Sequence, residues 1–134
     1  MATLPALNKF VLEKIKPEVT NTANSILNQG NAIYVTPQLV TAIVLSLQVA
    51  NTGNNPVIFS AQVGNIPPED NGNLDDLVYV VKDFEIPVND VFNPLTGRLI
   101  IPELDQLYLT YRTPESGQTS FLGITLSILE NANE

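Results

Sequence analysis

The chain of 134 residues contains no histidine, no cysteine and no tryptophan. Histidine is the commonest general base, and the cysteine thiolate is a frequent nucleophile and metal ligand. Their absence removes the side chains on which most enzyme sites depend, and it excludes disulfides and thiolate metal centres. Stability must therefore come from packing, strand pairing or assembly into something larger.

Charge is also scarce: charged residues make up 15% of the chain, against about 25% in ordinary domains. The net charge is −8, and it is unevenly distributed. The first sixteen residues hold three lysines and one glutamate, a net charge of +2, whereas the remainder holds three basic and thirteen acidic residues, a net charge of −10. An acidic body argues against a nucleic-acid groove, because phosphate binding depends on Lys and Arg. The basic leader either docks on an acidic neighbour or solvates a short helix.

Long apolar runs are missing as well. A membrane-spanning helix needs about 20 consecutive apolar residues, and no run in this chain approaches that length. The first twelve residues have no continuous apolar stretch behind a basic start, so they do not resemble a secretion signal. We expect a protein made in the cytoplasm that contacts no membrane. Its length fits one domain with one ordinary core.

Residues 1–31 are predicted to form an N-terminal arm. Apolar residues recur at helical spacing until Pro17 stops the pattern, which predicts a short helix with one apolar face. The polar segment that follows has little to bury and is expected to be extended. The arm residues predicted to bind a partner are Leu7, Phe10, Val11, Lys14 and Ile15.

Residues 32–130 show the period-two alternation of half-buried antiparallel strands, interrupted by turn residues. The Asn51 to Pro56 cluster is typical of a hairpin turn, and Pro87 indicates an edge or a crossing between sheets. The last strand has a wholly apolar face that should lie in the core: Leu122, Ile124, Leu126 and Ile128. Strands are predicted at 32–36, 39–50, 57–63, 77–84, 91–95, 98–101, 106–111 and 119–130, and residues 131–134 are predicted to be a polar tail.

This order of strands, without helices between them, predicts an all-β protein: an immunoglobulin-like antiparallel two-sheet β-sandwich preceded by the arm with its short helix. The Cys and Trp hallmarks of antibody domains are missing, so the likeness is architectural. Several strands are apolar on both faces, and a monomer rarely leaves such patches bare. We therefore predict a homo-oligomer, with possible surface contacts at Val44, Ile58 and Tyr108.

Two groups of carboxylates are candidate sites. The loop 69–76 offers several hard oxygen ligands of the kind calcium prefers, but the spacing is not that of an EF-hand, and a solvated hairpin tip has the same composition. Glu103 and Asp105 face the same side if they lie on a strand, yet no nucleophile elbow or phosphate-binding glycine loop accompanies them. We interpret both groups as charged turns, and predict no catalytic residue, no metal site and no cofactor.

The order of these elements resembles that of small β-sandwich virion proteins of tailed bacteriophages. In that family a strand ends in Asn-Thr, a Tyr-Leu-Lys-Asp strand and a proline link follow, and the final strand closes in Ser-x-Leu-Glu. The resemblance covers about two thirds of this chain. This chain departs from the family's pattern in the long loop 64–76 and in the turn at residues 102–104. The matching residues are Asn51 and Thr52, Tyr79 with Lys82 and Asp83, Ile86 with Pro87, Leu99 to Ile101, Asp105 with Leu107, and Ser127 to Glu130.

The resemblance implies a structural protein of the virion, made in the host cytoplasm, whose partners are the major capsid protein or other virion proteins. Our first hypothesis is a non-enzymatic capsid decoration or cement protein, bound to the coat shell through the arm and the sandwich surface. One alternative is a neck or tail accessory protein arranged in a ring. A further alternative is a small carbohydrate-binding module, which would need a cluster of exposed aromatic side chains and which the lack of Trp disfavours.

Overall fold

In a computed structural model, which describes residues 8–22, 33–65 and 77–132, the chain forms β-strands joined by turns, with no helix in the described ranges. No described segment is a helix long and apolar enough to cross a membrane. The ten strands in these ranges are β1 Lys9–Ile15, β2 Glu18–Thr20, β3 Tyr34–Val35, β4 Val40–Asn51, β5 Val57–Gly64, β6 Val78–Ile86, β7 Val91–Phe92, β8 Leu99–Ile101, β9 Gln106–Arg112 and β10 Thr119–Ala132.

The strands form two antiparallel sheets. The first has the order β1-β10-β4-β7, with β2 also on β10 and β8 also on β4, and the second has the order β3-β9-β5-β6. The predicted all-β, two-sheet class is therefore confirmed. The connectivity, however, is not that of an immunoglobulin domain, which pairs several consecutive strands. Here β5 and β6 are the one consecutive pair that is hydrogen-bonded within the described strands, and most connections cross between sheets, as in a jelly roll.

The core lies between the inner faces of the two sheets. The predicted apolar face of β10 is confirmed: Leu122, Ile124, Leu126 and Ile128 are at most 1% exposed. Alternation at period two places all four on one side of the strand, where they meet buried residues of the facing sheet. Those residues include Val57 and Phe59 of β5, Ile86 of β6 and Leu107 of β9.

A β-bulge in β4 reverses the orientation of half of that strand relative to strict alternation. The register against β10 shifts between Ser127 and Ile128, so that Leu45 has no partner of its own. Before the bulge Val44 is buried, and after it Leu47 is buried, although the two are an odd number of residues apart. An extra residue in one strand produces this change of phase. A strictly alternating pattern cannot predict it.

The predicted N-terminal helix is wrong. Residues Lys9–Ile15 form β1 and pair with β10 over seven residues, from Lys9 opposite Glu130 to Ile15 opposite Ile124. The long β10 offers an open edge, and pairing with it satisfies the backbone of a segment whose apolar residues fit either period. Val19 of β2 is fully buried. The predicted boundary at 31/32 and the residue Leu7 lie outside the described residues.

Three connections also bear on the predictions. The crossing at Pro87 is confirmed, because β6 belongs to the second sheet and β7 to the first. The turn after Asn51 is not a hairpin, since β4 and β5 lie in different sheets and do not pair. The predicted tail at 131–134 begins too early, because β10 continues to Ala132, which lies opposite Val40.

Candidate assembly surfaces

Four apolar side chains form a continuous row across the outer face of the first sheet. Phe10 lies opposite Leu129, Leu129 opposite Ile43, and Ile43 opposite Ile100. Opposite residues on antiparallel strands have Cβ atoms about 4.5–5.5 Å apart, so these neighbours lie within contact range. We call the four residues the outer row. Its ends are open to solvent, since Phe10 is 73% and Ile100 is 63% exposed.

The face around the outer row is apolar or neutral. Leu12 lies on the same face two residues beyond Phe10 and is 58% exposed. The neighbouring outward positions on β10 and β4 are mainly small or uncharged polar residues. Of the side chains that β1, β4, β8 and β10 place on this face, Lys14 alone is charged. Depletion of charge around aromatic and aliphatic residues is typical of the buried centre of a protein interface.

The predicted partner-binding residues of the arm divide between the two faces of β1. Val11 and Ile15 are half-buried and pack against the core. Phe10 and Lys14 are exposed on the opposite face. Among the described strands, none pairs with the other edge of β1, so its backbone groups are open there. Lys9, Glu13 and Lys14 of this strand are exposed, so β1 carries a net charge of +1.

The three predicted surface contacts have different positions. Val44 is fully buried, because the β4 bulge turns it inward, and the prediction that it is a surface contact is wrong. Tyr108 lies on the outer side of the second sheet but is only 5% exposed, so its predicted exposure is also wrong. It lies opposite Gln62, its hydroxyl donates to the Gln106 side chain, and burial raises its pKa. Ile58 is half-buried.

A buried asparagine, Asn51, holds one end of the sandwich together. The sequence pattern predicts only that this residue belongs to a turn. Asn51 is 1% exposed. Its amide nitrogen donates to the Asn55 carbonyl at 2.9 Å and to the Ile86 carbonyl at 3.0 Å. Its Oδ1 accepts from the Gly53 N–H at 3.1 Å and lies 2.9 Å from Ser120 Oγ. One side chain thus joins the β4–β5 corner, the crossing after β6, and β10.

The corner is tightly packed at Gly53. A Cβ atom there would lie 2.1 Å from Ser120 Oγ and 2.5 Å from the backbone nitrogen of Phe121. Because backbone cannot move aside cheaply, this position needs glycine. The Asn-Thr dipeptide of the resemblance therefore has a structural explanation: Asn51 fills the corner, and the Thr52 N–H donates to the Phe121 carbonyl at 2.9 Å. The signal in the sequence was the cluster of Asn and Gly, which indicates a turn but not a buried hydrogen-bond network.

A second buried polar contact ties the two sheets together at the opposite side. The hydroxyl of Tyr34, on β3, donates to Glu130 Oε2, on β10, at 2.6 Å. Burial, and after it the hydrogen bond to the Glu130 carboxylate, raises the pKa of the Tyr34 hydroxyl well above its ordinary value. Lys9 lies opposite Glu130 on the edge strand. The Tyr34–Glu130 hydrogen bond therefore links the two sheets.

Of the two carboxylates considered above as an acid–base pair, Glu103 binds a backbone group. Glu103 Oε2 accepts from the Leu39 N–H at 2.7 Å, as a carboxylate in a turn does. One hollow is lined by Lys16 and Phe121 and a second by Asp90 and Val91, so each holds a single ionisable group. Within the described ranges, no group of three metal-ligating side chains occurs. The acidic loop 69–76 lies outside the described residues.

Most of the aromatic side chains belong to packing clusters. Phe92 stacks on Phe84 with ring centroids 3.8 Å apart, and it forms a T-shaped pair with Phe59 at a centroid distance of 6.5 Å. Phe84, on the edge strand β6, is 41% exposed. The Lys82 ammonium group lies over the ring of Tyr79. These rings do not form a row on one exposed face, which is what a carbohydrate platform requires.

Comparisons with known proteins show likeness in structure only. No protein-family model matches the chain, and no curated protein matches it in sequence. Among solved structures, VP2 of infectious bursal disease virus in a subviral particle aligns with a TM-score of 0.52 and 10% identity, covering 94% of this chain and 33% of that one. The Gx strain of the same virus gives 0.52 and 10%, covering 92% and 32%. A chain from Bacillus endospore appendages, at 12% identity over 100% and 97%, has a TM-score of 0.46, too low to carry an argument.

This chain therefore spans about a third of the length of these two viral chains. At this identity the likeness shows the fold alone. It agrees with the two-sheet sandwich described above.

Proposed function

We propose that the chain is a non-enzymatic structural protein of a virion, and specifically a decoration or cement protein on the outside of a tailed-phage capsid. The observation that carries the proposal is the charge-poor apolar outer face of a jelly-roll sandwich. Such a face is suited to burial in an assembly rather than to permanent exposure. The structural likeness to a viral capsid protein and the sequence resemblance to phage virion proteins both support the same class.

Contact with the coat protein is proposed to run through β1 and the residues before it. The strand is an open edge, it carries Lys9 and Lys14, and Lys16 follows it directly. An open edge can accept a strand from another chain, and basic side chains favour an acidic partner surface. Leu7 would add apolar contact, Phe10 belongs to the outer row, and Val11 and Ile15 support the strand from the core side. The partner is accordingly the major capsid protein or a neighbouring virion protein.

Binding to particles tests this proposal. Purified chain is mixed with capsids that lack it, and the bound amount is measured after sedimentation. Wild-type protein should saturate the shells, and Lys9→Glu with Lys16→Glu should bind at least about tenfold more weakly, because each reversal converts attraction into repulsion. Deleting residues 1–31 is a poor test, since β1 and β2 belong to the sheet. Lys82→Glu, on the far side of the sandwich, is the matched control and should bind as wild type.

A neck or tail accessory role is the alternative that the same fold allows. It predicts few copies arranged in a ring, and saturation of the whole shell by added chain would exclude it. Equal binding of the wild type and the double variant would contradict the proposed contact through β1. No binding of the wild-type chain would contradict the decoration role.

A further inference from the structure

We propose that the outer face of the first sheet binds the same face of a second copy of this chain, forming a two-fold symmetric dimer. The proposal rests on the structural role proposed above and names one partner of the subunit. A two-fold interface uses the same patch on both copies, so the patch must be compatible with itself. The outer row meets this condition, because an apolar row placed on its own copy meets apolar side chains throughout.

The shape of the outer row favours a broad contact. It runs across four adjacent strands, from Phe10 at one edge to Ile100 at the other. With strands about 4.8 Å apart, the two end residues are about 14 Å from each other. The two ends are also the most exposed members, while Leu129 and Ile43 between them are half-buried. A flat partner would therefore cover the whole row at once.

Charge identifies a second copy as the occupant. The chain carries a net charge of −8, so two copies repel each other wherever carboxylates meet. Around the outer row, β1, β4, β8 and β10 contribute no carboxylate to this face, and Lys14 stands near its margin. The carboxylate of Glu18, on β2, lies opposite Phe121 towards the other end of β10. At the outer row two like-charged chains can approach without placing acids against acids. Sheet faces that pack on one another in this way bring side chains of both into one layer.

The size of the face also fits a dimer. Along β4, the neighbouring positions are filled by β10 with β1 and then β2 on one side, and by β8 and then β7 on the other. Four strand positions span about 19 Å and the twelve residues of β4 extend about 40 Å, so the footprint is at most about 760 Å². A stable interface of ordinary size buries about 800 Å² on each partner. The upper bound on the area of this face is therefore close to the size of an ordinary interface.

The edge of the second sheet at β6 is less suited to a contact between two copies. The edge strand β6 is irregular, with register shifts against β5 and a left-handed residue at Asp83, whose φ is 51°. Bulges of this kind protect an edge strand from pairing with another chain. Asp83 also forms an ion pair with Arg112 at 3.6 Å, and Glu85 is exposed nearby. Pairing of two β6 edges would bring these acids together.

Mass in solution tests the proposal, using the full-length chain at micromolar to sub-millimolar concentration. Sedimentation equilibrium should give twice the 14.6 kDa of one chain. Phe10→Asp and Ile100→Asp each bury a charge in the proposed interface and should weaken the dimer at least about 100-fold. Val78→Asp is the matched control, because Val78 is 68% exposed but lies on the second sheet, and it should remain dimeric. Thermal unfolding checks that each variant is folded.

Salt distinguishes this face from an electrostatic contact. Screening reduces the repulsion between two chains of net charge −8, so added sodium chloride should strengthen the dimer. A dimer held by the basic β1 edge against acidic groups would instead weaken. Weakening by salt, a monomeric wild type, or a dimer that survives both aspartate substitutions would each overturn the proposal. A monomer that still saturates capsids would leave the proposed function standing, whereas a dimer that binds no capsid would refute that function alone.

Discussion

The removal of the Asn51 side chain should be one of the most damaging single changes in the first sheet. In Asn51→Ala the carbonyl of Ile86 and the N–H of Gly53 lose their side-chain partner in a buried corner. The carbonyl of Asn55 keeps Ser120 Oγ, 2.8 Å away. Each buried group left unsatisfied costs about 1–3 kcal/mol, so two such groups predict a loss of about 2–6 kcal/mol. That is a large part of the stability of an ordinary domain, about 5–15 kcal/mol.

Urea unfolding of the two proteins measures this loss. The chain has no tryptophan, so tyrosine fluorescence or circular dichroism must report the transition. Asn55→Ala is the matched control: the Asn55 side chain makes an exposed hydrogen bond of 2.7 Å to the Thr119 carbonyl. Its removal should cost less than about 1 kcal/mol. Equal losses in the two variants would refute the assignment of Asn51 as the residue that joins the corner.

Three further predictions follow from the core, the contact between the sheets and the acidic loop. Leu126→Ala should lower the free energy of unfolding by about 2–5 kcal/mol, because Leu126 is fully buried, and a loss below about 1 kcal/mol would contradict its place in the core. The pKa of Tyr34 is raised in the folded state, so the unfolded chain loses this proton first and stability should fall as the pH rises above about 10. Tyr34→Phe should make that fall shallower, and an unchanged slope would contradict the assignment. Calcium and chelators should leave the melting temperature unchanged, whereas a calcium-dependent rise that Asp70→Asn with Asp75→Asn abolishes would establish a metal site.

The parts of the fold that depend on local alternation could be predicted from the sequence. Leu122 to Ile128 of β10 keep a strict period of two, and the strand is paired along most of its length, so pattern and structure agree. Pro87 was equally informative, because proline cannot donate to an inner ladder and marks the crossing between sheets. In both cases the information lies in the segment itself.

The errors arise where a distant partner decides the local structure. Phe10, Val11 and Ile15 suit a helical face and also the two sides of a strand, and the open edge of β10 decides for the strand. The bulge at Leu45 exists only in relation to the register of β10, so the burial of Val44 could not be predicted from β4 alone.

The outer row was also only partly predictable from the sequence. The sequence predicted that apolar side chains remain exposed on the sandwich. It assigned the surface contacts to Val44 and Tyr108, however, and not to Ile43, Ile100 and Leu129. The outer row is formed by three separate pairings, each between strands distant in sequence. Its members can be recognised only when the strand order and register are known.

The copy number of the chain in purified particles tests the central claim most directly. To test the proposal, virions encoded by the genome that carries this chain are purified, and the chain is quantified by mass spectrometry against the major capsid protein. A decoration protein predicts a number of copies of the same order as the coat protein, and a neck or tail part predicts only a few to a few dozen. Absence of the chain from the purified particles would contradict a structural role in the virion.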